Sequence, residues 1–285
     1  MTHLLSVAAI AIAVLSLVAV AVGGWETGRR RGSSSQAREG RDDGSDCSDE
    51  LLARRVDEVV RAARTLEMVF QPIVDLRTGE RIGDEALARF ADGRSPEEWF
   101  VEARAVGLGV VLEVAALWRA ARMYRSDGAL SVNVSPATMT SDVFADFVER
   151  AAPGRDLVIE LTEHVAVSDY AELCQAVGPM RERGVRVAVD DAGSGVASMR
   201  HILAVAPDII KLDGSLIAQI DVDGPRQALA ASLEQFAEQI GAELVAEGIE
   251  REEERAVCER LGITWGQGYL FGVPGPQTGD ELCKS

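Results

Sequence analysis

The chain has 285 residues with 47% hydrophobic and 26% charged side chains, a balance that excludes a wholly disordered polypeptide and permits a core without disulfide staples. Acidic residues outnumber basic ones 46 to 29, a formal charge of −17, and a negative field of that size excludes a protein that coats DNA or RNA. Four widely spaced cysteines and three histidines form no zinc pattern, no dense disulfide framework and no serine-hydrolase elbow.

Leu4 to Trp25 is an uncharged apolar run of 22 residues, followed directly by Arg29, Arg30 and Arg31. About 20 helical residues cross a bilayer, so this run is expected to be a single transmembrane anchor with the remainder facing the cytoplasm. A cleaved signal peptide is the rival, because Ala19-Val20-Ala21 resembles a cleavage site. The absence of a preceding Lys or Arg and the length of the run favour the anchor. Residues 26–47 are polar and rich in Gly and Ser, the composition of a flexible linker.

From Ser48, helical spacing of Leu51, Leu52, Val56, Val59, Val60 and Ala63 predicts a helix leading into a domain over 48–285. Apolar strand-like runs follow at 68–74, 130–134, 157–161, 185–189, 209–212 and 244–246. Between them lie amphipathic segments at 96–106, 111–124, 143–151, 170–183, 225–240 and 251–261. Continuous apolar strands alternating with helices imply a parallel sheet covered on both faces, and the size fits one α/β domain, a (β/α)₈ TIM-type barrel.

Oxygen donors recur at the strand ends: Glu85, Asn133, Glu160, Asp190 with Asp191, Asp213 after Lys211, and Glu247. In a barrel these ends converge on one mouth, where crowded carboxylates repel unless a cation sits among them. Hard oxygen donors with one amide and neither Cys nor His point to Mg²⁺ or Mn²⁺. Any one strand-end carboxylate is commonly a helix cap or a solvated loop residue, but the adjacent pair Asp190–Asp191 is unfavourable without a cation. Lys211 is conspicuous because the only other lysine is Lys284.

These segments resemble the EAL-domain family, the cyclic-di-GMP phosphodiesterases of bacteria. Glu85-Ala86-Leu87 matches the name-giving motif, and Phe70-Gln71-Pro72-Ile73-Val74 resembles the family's opening strand. Ser131 to Ser135, Glu160-Leu161-Thr162-Glu163, Val189-Asp190-Asp191, Pro207 to Asp213, Val245 to Glu250 and Gly268 to Phe271 follow in the family's order. The resemblance implies a modified barrel with an antiparallel first strand, and hydrolysis of cyclic-di-GMP to linear pGpG with two Mg²⁺ or Mn²⁺ ions. It implies Glu85, Asn133, Glu160 and Asp190 as ligands of one ion, with Asp190, Asp191 and Glu247 around the second. Lys211 would orient the attacking water; Gln71, Leu87, Arg89, Asp213 and Gln267 would contact the dinucleotide, and Glu163 would brace the loop after Asp191. The family commonly has aromatic residues where this loop carries Ala192 and Val196, and no cyclase motif is present. A catalytically silent cyclic-di-GMP receptor is the alternative function; a homodimer is a further expectation.

Overall fold

In the computed structural model the described residues are 45–162, 170–192 and 196–277. The apolar run 4–25, most of the linker, Glu163 and residues 193–195 lie outside them. Among the described residues no helix is long and apolar enough to cross a membrane.

The described residues fall into two compact units. Among the described residues, one holds 45–67 together with Arg89–Arg119; the other holds Met68–Ala88 and the described residues from Ala120 to 277. In the first unit, α1 (Ser45–Thr65) packs on α2 (Pro96–Ala105). α1 therefore opens three residues before Ser48, inside the stretch expected to be linker. Arg55 of α1 pairs with Glu102 of α2. Ser95 starts α2 with a reciprocal cap: its hydroxyl accepts the Glu98 amide while the Glu98 carboxylate accepts the Ser95 amide. The ring of Phe90 lies 5.5 Å from that of Trp99, and the Arg94 guanidinium sits over the other part of this cluster, 4.3 Å from the indole centroid. Helix α3 (Gly109–Met123) starts in this unit.

The second unit contains a closed eight-stranded barrel in sequential order. Its strands are β1 (Glu67–Asp75), β2 (Arg81–Arg89), β3 (Ala129–Val134), β4 (Leu157–Leu161), β5 (Arg186–Ala192), β6 (Ile209–Leu212), β7 (Glu243–Ala246) and β8 (Trp265–Gln267). Neighbours from β2 to β8 run parallel, whereas β1 is antiparallel to β8, with Ile73 opposite Gln267. The antiparallel first strand is thus as the resemblance implies. Its reversal follows from the short connection after Asp75, where Thr78 caps on the Asp75 carboxylate and Gly79 takes a left-handed φ of 73°. Helices α4 (Pro136–Met139), α5 (Asp142–Ala151), α6 (Tyr170–Arg181), α7 (Val196–Val205), α8 (Gly214–Ile217), α9 (Gly224–Ile240) and α10 (Glu252–Arg260) connect the strands. α6 and α7 pack on β5, and α9 packs on β7. Cys174 and Cys258 are free thiols.

The barrel interior is ordered by the two-residue period of the strands. One layer is apolar: Ile73, Ala129, Val158, Ala188, Ile209 and Val245 form a single buried cluster, with Ile82 and Trp265 packed against it. Two residues further toward the mouth along each strand (two earlier on the reversed β1) the same inner face presents Gln71, Ser131, Glu160, Asp190, Lys211 and Glu247. The apolar layer therefore serves as the floor on which the polar layer stands. Burial of that floor supplies the stability that offsets gathering charges above it.

Candidate active site

The polar layer is built from neighbouring strands by register. Asn133 lies beside Glu160, Glu85 beside Ser131, and Lys211 beside Val245. Glu85 is 6% exposed and Glu160 and Lys211 are 1% exposed, so these charges meet with almost no water between them. The Lys211 ammonium is 2.7 Å from Glu160, 2.6 Å from Glu247, 3.4 Å from Glu85 and 3.6 Å from Asp190. One cation thus faces four carboxylates.

Glu85 and Glu160 are further held by neutral donors. Asn133 Nδ2 donates to Glu85 Oε1 at 2.6 Å, and Gln267 Nε2 donates to Glu85 Oε2 at 2.7 Å. Ser131 Oγ donates to Glu160 Oε1. Burial acts to raise the Glu85 pKa, but the Lys211 charge and the two amide donors outweigh it and hold the group below its ordinary value. Glu160 is pushed up to about 8 by burial and by the Glu85 charge, against the pull of Lys211. Glu247 is raised well above the ordinary range, first by burial and then by Asp190, with Lys211 opposing. Lys211 stays protonated despite burial, because Asp190, Glu160, Glu247 and Glu85 all favour its charge. The cluster holds more negative charge than one ammonium balances.

Asp190 and Asp191 face the same mouth although adjacent strand residues should point to opposite faces. The register shifts between Val189 and Ala192, and Asp191 takes a φ of 55°, a left-handed conformation that costs a non-glycine residue energy. That kink brings one oxygen each from Asp190, Asp191 and Glu247 within 4.8 Å of one another. A hard, all-oxygen donor set of this kind fits Mg²⁺ or Mn²⁺.

Above the cluster lies a cavity of about 430 Å³, within the range typical of small-molecule sites. Gln71, Glu85, Leu87, Asp190, Glu247 and Gln267 line it, and with Asn133, Glu160, Lys211 and Asp191 of the cluster they bring together most of the expected residues. Asp213 caps α8 instead, its carboxylate accepting the Ser215 amide at 2.9 Å. Arg89 closes β2 as an exposed residue of the other unit. Glu163 lies outside the described residues. Ser131, Glu250 and Tyr269 also contribute and were not anticipated as site residues. Ser131 was signalled by its two-residue spacing from Asn133, whereas Glu250 and Tyr269 reach the cavity through loops that strand patterning does not describe.

The fold and this mouth define a modified (β/α)₈ barrel with a candidate oxygen-ligand cation site. The EAL domain family model matches residues 54–274, and the chain belongs to that family. It is 29% identical over 238 residues, 78% of this chain, to a cyclic di-GMP phosphodiesterase of Pseudomonas aeruginosa and covers 40% of that relative. The chain spans less than half the length of the curated relatives it matches. Among solved structures, the EAL enzyme Bd1971 in its cAMP- and cyclic-di-GMP-bound form aligns with a TM-score of 0.70 at 25% identity, covering 82% of this chain and 68% of that one. The manganese and cyclic-di-GMP complex of Klebsiella pneumoniae BlrP1 aligns with a TM-score of 0.65 at 27% identity, covering 74% of this chain and 56% of that one.

Proposed function

We propose that this chain hydrolyses cyclic-di-GMP to the linear dinucleotide pGpG in a reaction that depends on two Mg²⁺ or Mn²⁺ ions. The observation that carries the reading is the convergence of Asp190, Asp191 and Glu247 within 4.8 Å beside a buried Lys211. The names of the Pseudomonas and Klebsiella relatives supply the substrate. Glu85, Asn133, Glu160 and Asp190 would hold one ion, and Asp190, Asp191 and Glu247 the other. Bound there, the ions would lower the pKa of a water and offset charge developing on the phosphoryl oxygens.

The chain's own groups do the remaining work. Lys211 cannot leave the cluster and keeps its proton, so it offers a fixed ammonium donor to the attacking water and to a phosphate oxygen. Asn133 and Gln267 hold Glu85 in one rotation about its carboxyl axis. Leu87 presents an apolar side chain at the rim, where a nucleobase would rest. Residues 4–25 would anchor the chain in the cytoplasmic membrane with the barrel in the cytoplasm, on the strength of their length and flanking arginines. The test of function is incubation with cyclic-di-GMP and Mn²⁺ followed by chromatography. Linear pGpG is the expected product, and tight binding without product would show a receptor instead.

A further inference from the structure

We infer that Gln267 is a positioning residue for Glu85, acting through that carboxylate and not by touching the dinucleotide. The inference rests on the reading of Glu85 as a metal ligand given above. Gln267 is the last residue of β8 and 4% exposed. Its amide nitrogen donates to Glu85 Oε2 at 2.7 Å and to Gln71 Oε1 at 3.0 Å. Both N–H groups are thereby used. Its carbonyl oxygen Oε1 is sealed from solvent and meets no donor among the described residues.

Turning the amide over would aim Oε1 at a carboxylate and a carbonyl, so the observed orientation is the one the surroundings enforce. An amide whose donors are spent on protein acceptors, and whose acceptor lies out of reach, has nothing left with which to hold a ligand. An unpaired buried acceptor is unfavourable, and its retention indicates that the donor side of the amide is what the site needs. The partners are anchored too. Gln71 donates to the Gly272 backbone carbonyl at 3.2 Å, and the Ile249 amide donates to the backbone carbonyl of Gln267 at 3.1 Å. The turn after Gln267 is fixed by Gly268, where any Cβ would meet the Ile249 carbonyl oxygen at 2.1 Å. Rigid backbone, fixed amide and carboxylate form one chain of positioning contacts ending at Glu85.

The experiment is calorimetric titration of Mn²⁺ into the full chain, wild type and Gln267→Met, beside steady-state kinetics on cyclic-di-GMP at saturating Mn²⁺. Loss of a partner that orients a metal ligand weakens metal affinity by about 10- to 100-fold, so Gln267→Met should raise the Mn²⁺ dissociation constant by at least about tenfold. KM for the dinucleotide should change less than about twofold. In a Glu85→Gln background the same substitution should add nothing, because the residue it acts through is gone. Gln267→Asn keeps an amide too short to reach Glu85 and should reproduce Gln267→Met, which guards against a variant that fails to fold. A tenfold rise in KM with unchanged Mn²⁺ affinity would overturn the inference, as would an equal loss in both backgrounds. A wild-type chain that takes up no Mn²⁺ would instead overturn the metal reading itself, a result separable from both.

Discussion

The Lys211 ammonium lies 2.7 Å from Glu160 Oε2, and both side chains are almost fully sealed inside the barrel. A buried ion pair is favourable only when both partners remain, because removing one leaves an uncompensated charge. Here Lys211 serves four carboxylates at once. Lys211→Met should therefore destabilise the metal-free chain by about 3–5 kcal/mol. Mn²⁺ should restore most of that loss by binding the folded state alone. Thermal melts with and without Mn²⁺ check this; an unchanged melting temperature in chelator would contradict it.

The same cluster sets a pH dependence for the metal-free chain. Glu160 holds its proton up to about pH 8 when folded but releases it near its ordinary 4.5 when unfolded, and Glu247 is shifted the same way. Across that window the folded state binds more protons, so stability falls as pH rises from about 4.5 to 8. Glu85, shifted down, contributes the opposite slope only below its ordinary value. Denaturant unfolding at pH 5, 6.5 and 8 in chelator should show a steady decline, and saturating Mn²⁺ should flatten it. Stability that rises over this range would be the contrary result.

Asp191 separates backbone strain from chemistry. Asparagine tolerates the left-handed conformation about as well as aspartate does, so Asp191→Asn should fold with stability within about 0.5 kcal/mol of wild type in chelator. Turnover should fall by at least about 100-fold, because one oxygen of the Asp190–Asp191–Glu247 set loses its charge. Unfolding curves and product formation measured on the same preparation decide it; turnover within a few fold of wild type would remove Asp191 from the site.

Gly268 carries a fourth expectation. Its φ of 157° lies at the edge of what side chains adopt, and an added Cβ would collide with Ile249 backbone. Gly268→Ala should cost about 2–4 kcal/mol through strain and overpacking together. Because Gln267 precedes it, Mn²⁺ affinity should fall as well. Unchanged stability would mean that the turn relaxes freely.

Much of this architecture is legible in the residues themselves. Leu157–Leu161 and Ile209–Leu212 are strands over the spans their apolar runs predict, since both faces are buried and no other period competes. β2 escaped the pattern because Gly83, Asp84 and Glu85 interrupt it. Asp84 is wholly buried yet charged, satisfied by Arg81 and by the Tyr124 hydroxyl at 3.0 Å, a pairing that local sequence does not reveal. β8 has three residues, too few for periodicity to register. The strand-end acids announced a cation site, because like charges at converging ends need a remedy. That Lys211 contacts four carboxylates at once was not readable, since its partners lie 21 to 126 residues away and meet only when the barrel closes. Asp213 illustrates the converse: a strand-end acid whose carboxylate turned out to cap a helix.

The central claim is hydrolysis at this mouth. It is tested most directly by incubating the full chain with cyclic-di-GMP and Mn²⁺ and following linear pGpG over time, beside Glu85→Ala and a chelated control. The account predicts product from the wild type and none from the variant or in chelator. Full turnover after exhaustive chelation, or none by the wild type at any Mn²⁺ concentration, would contradict it.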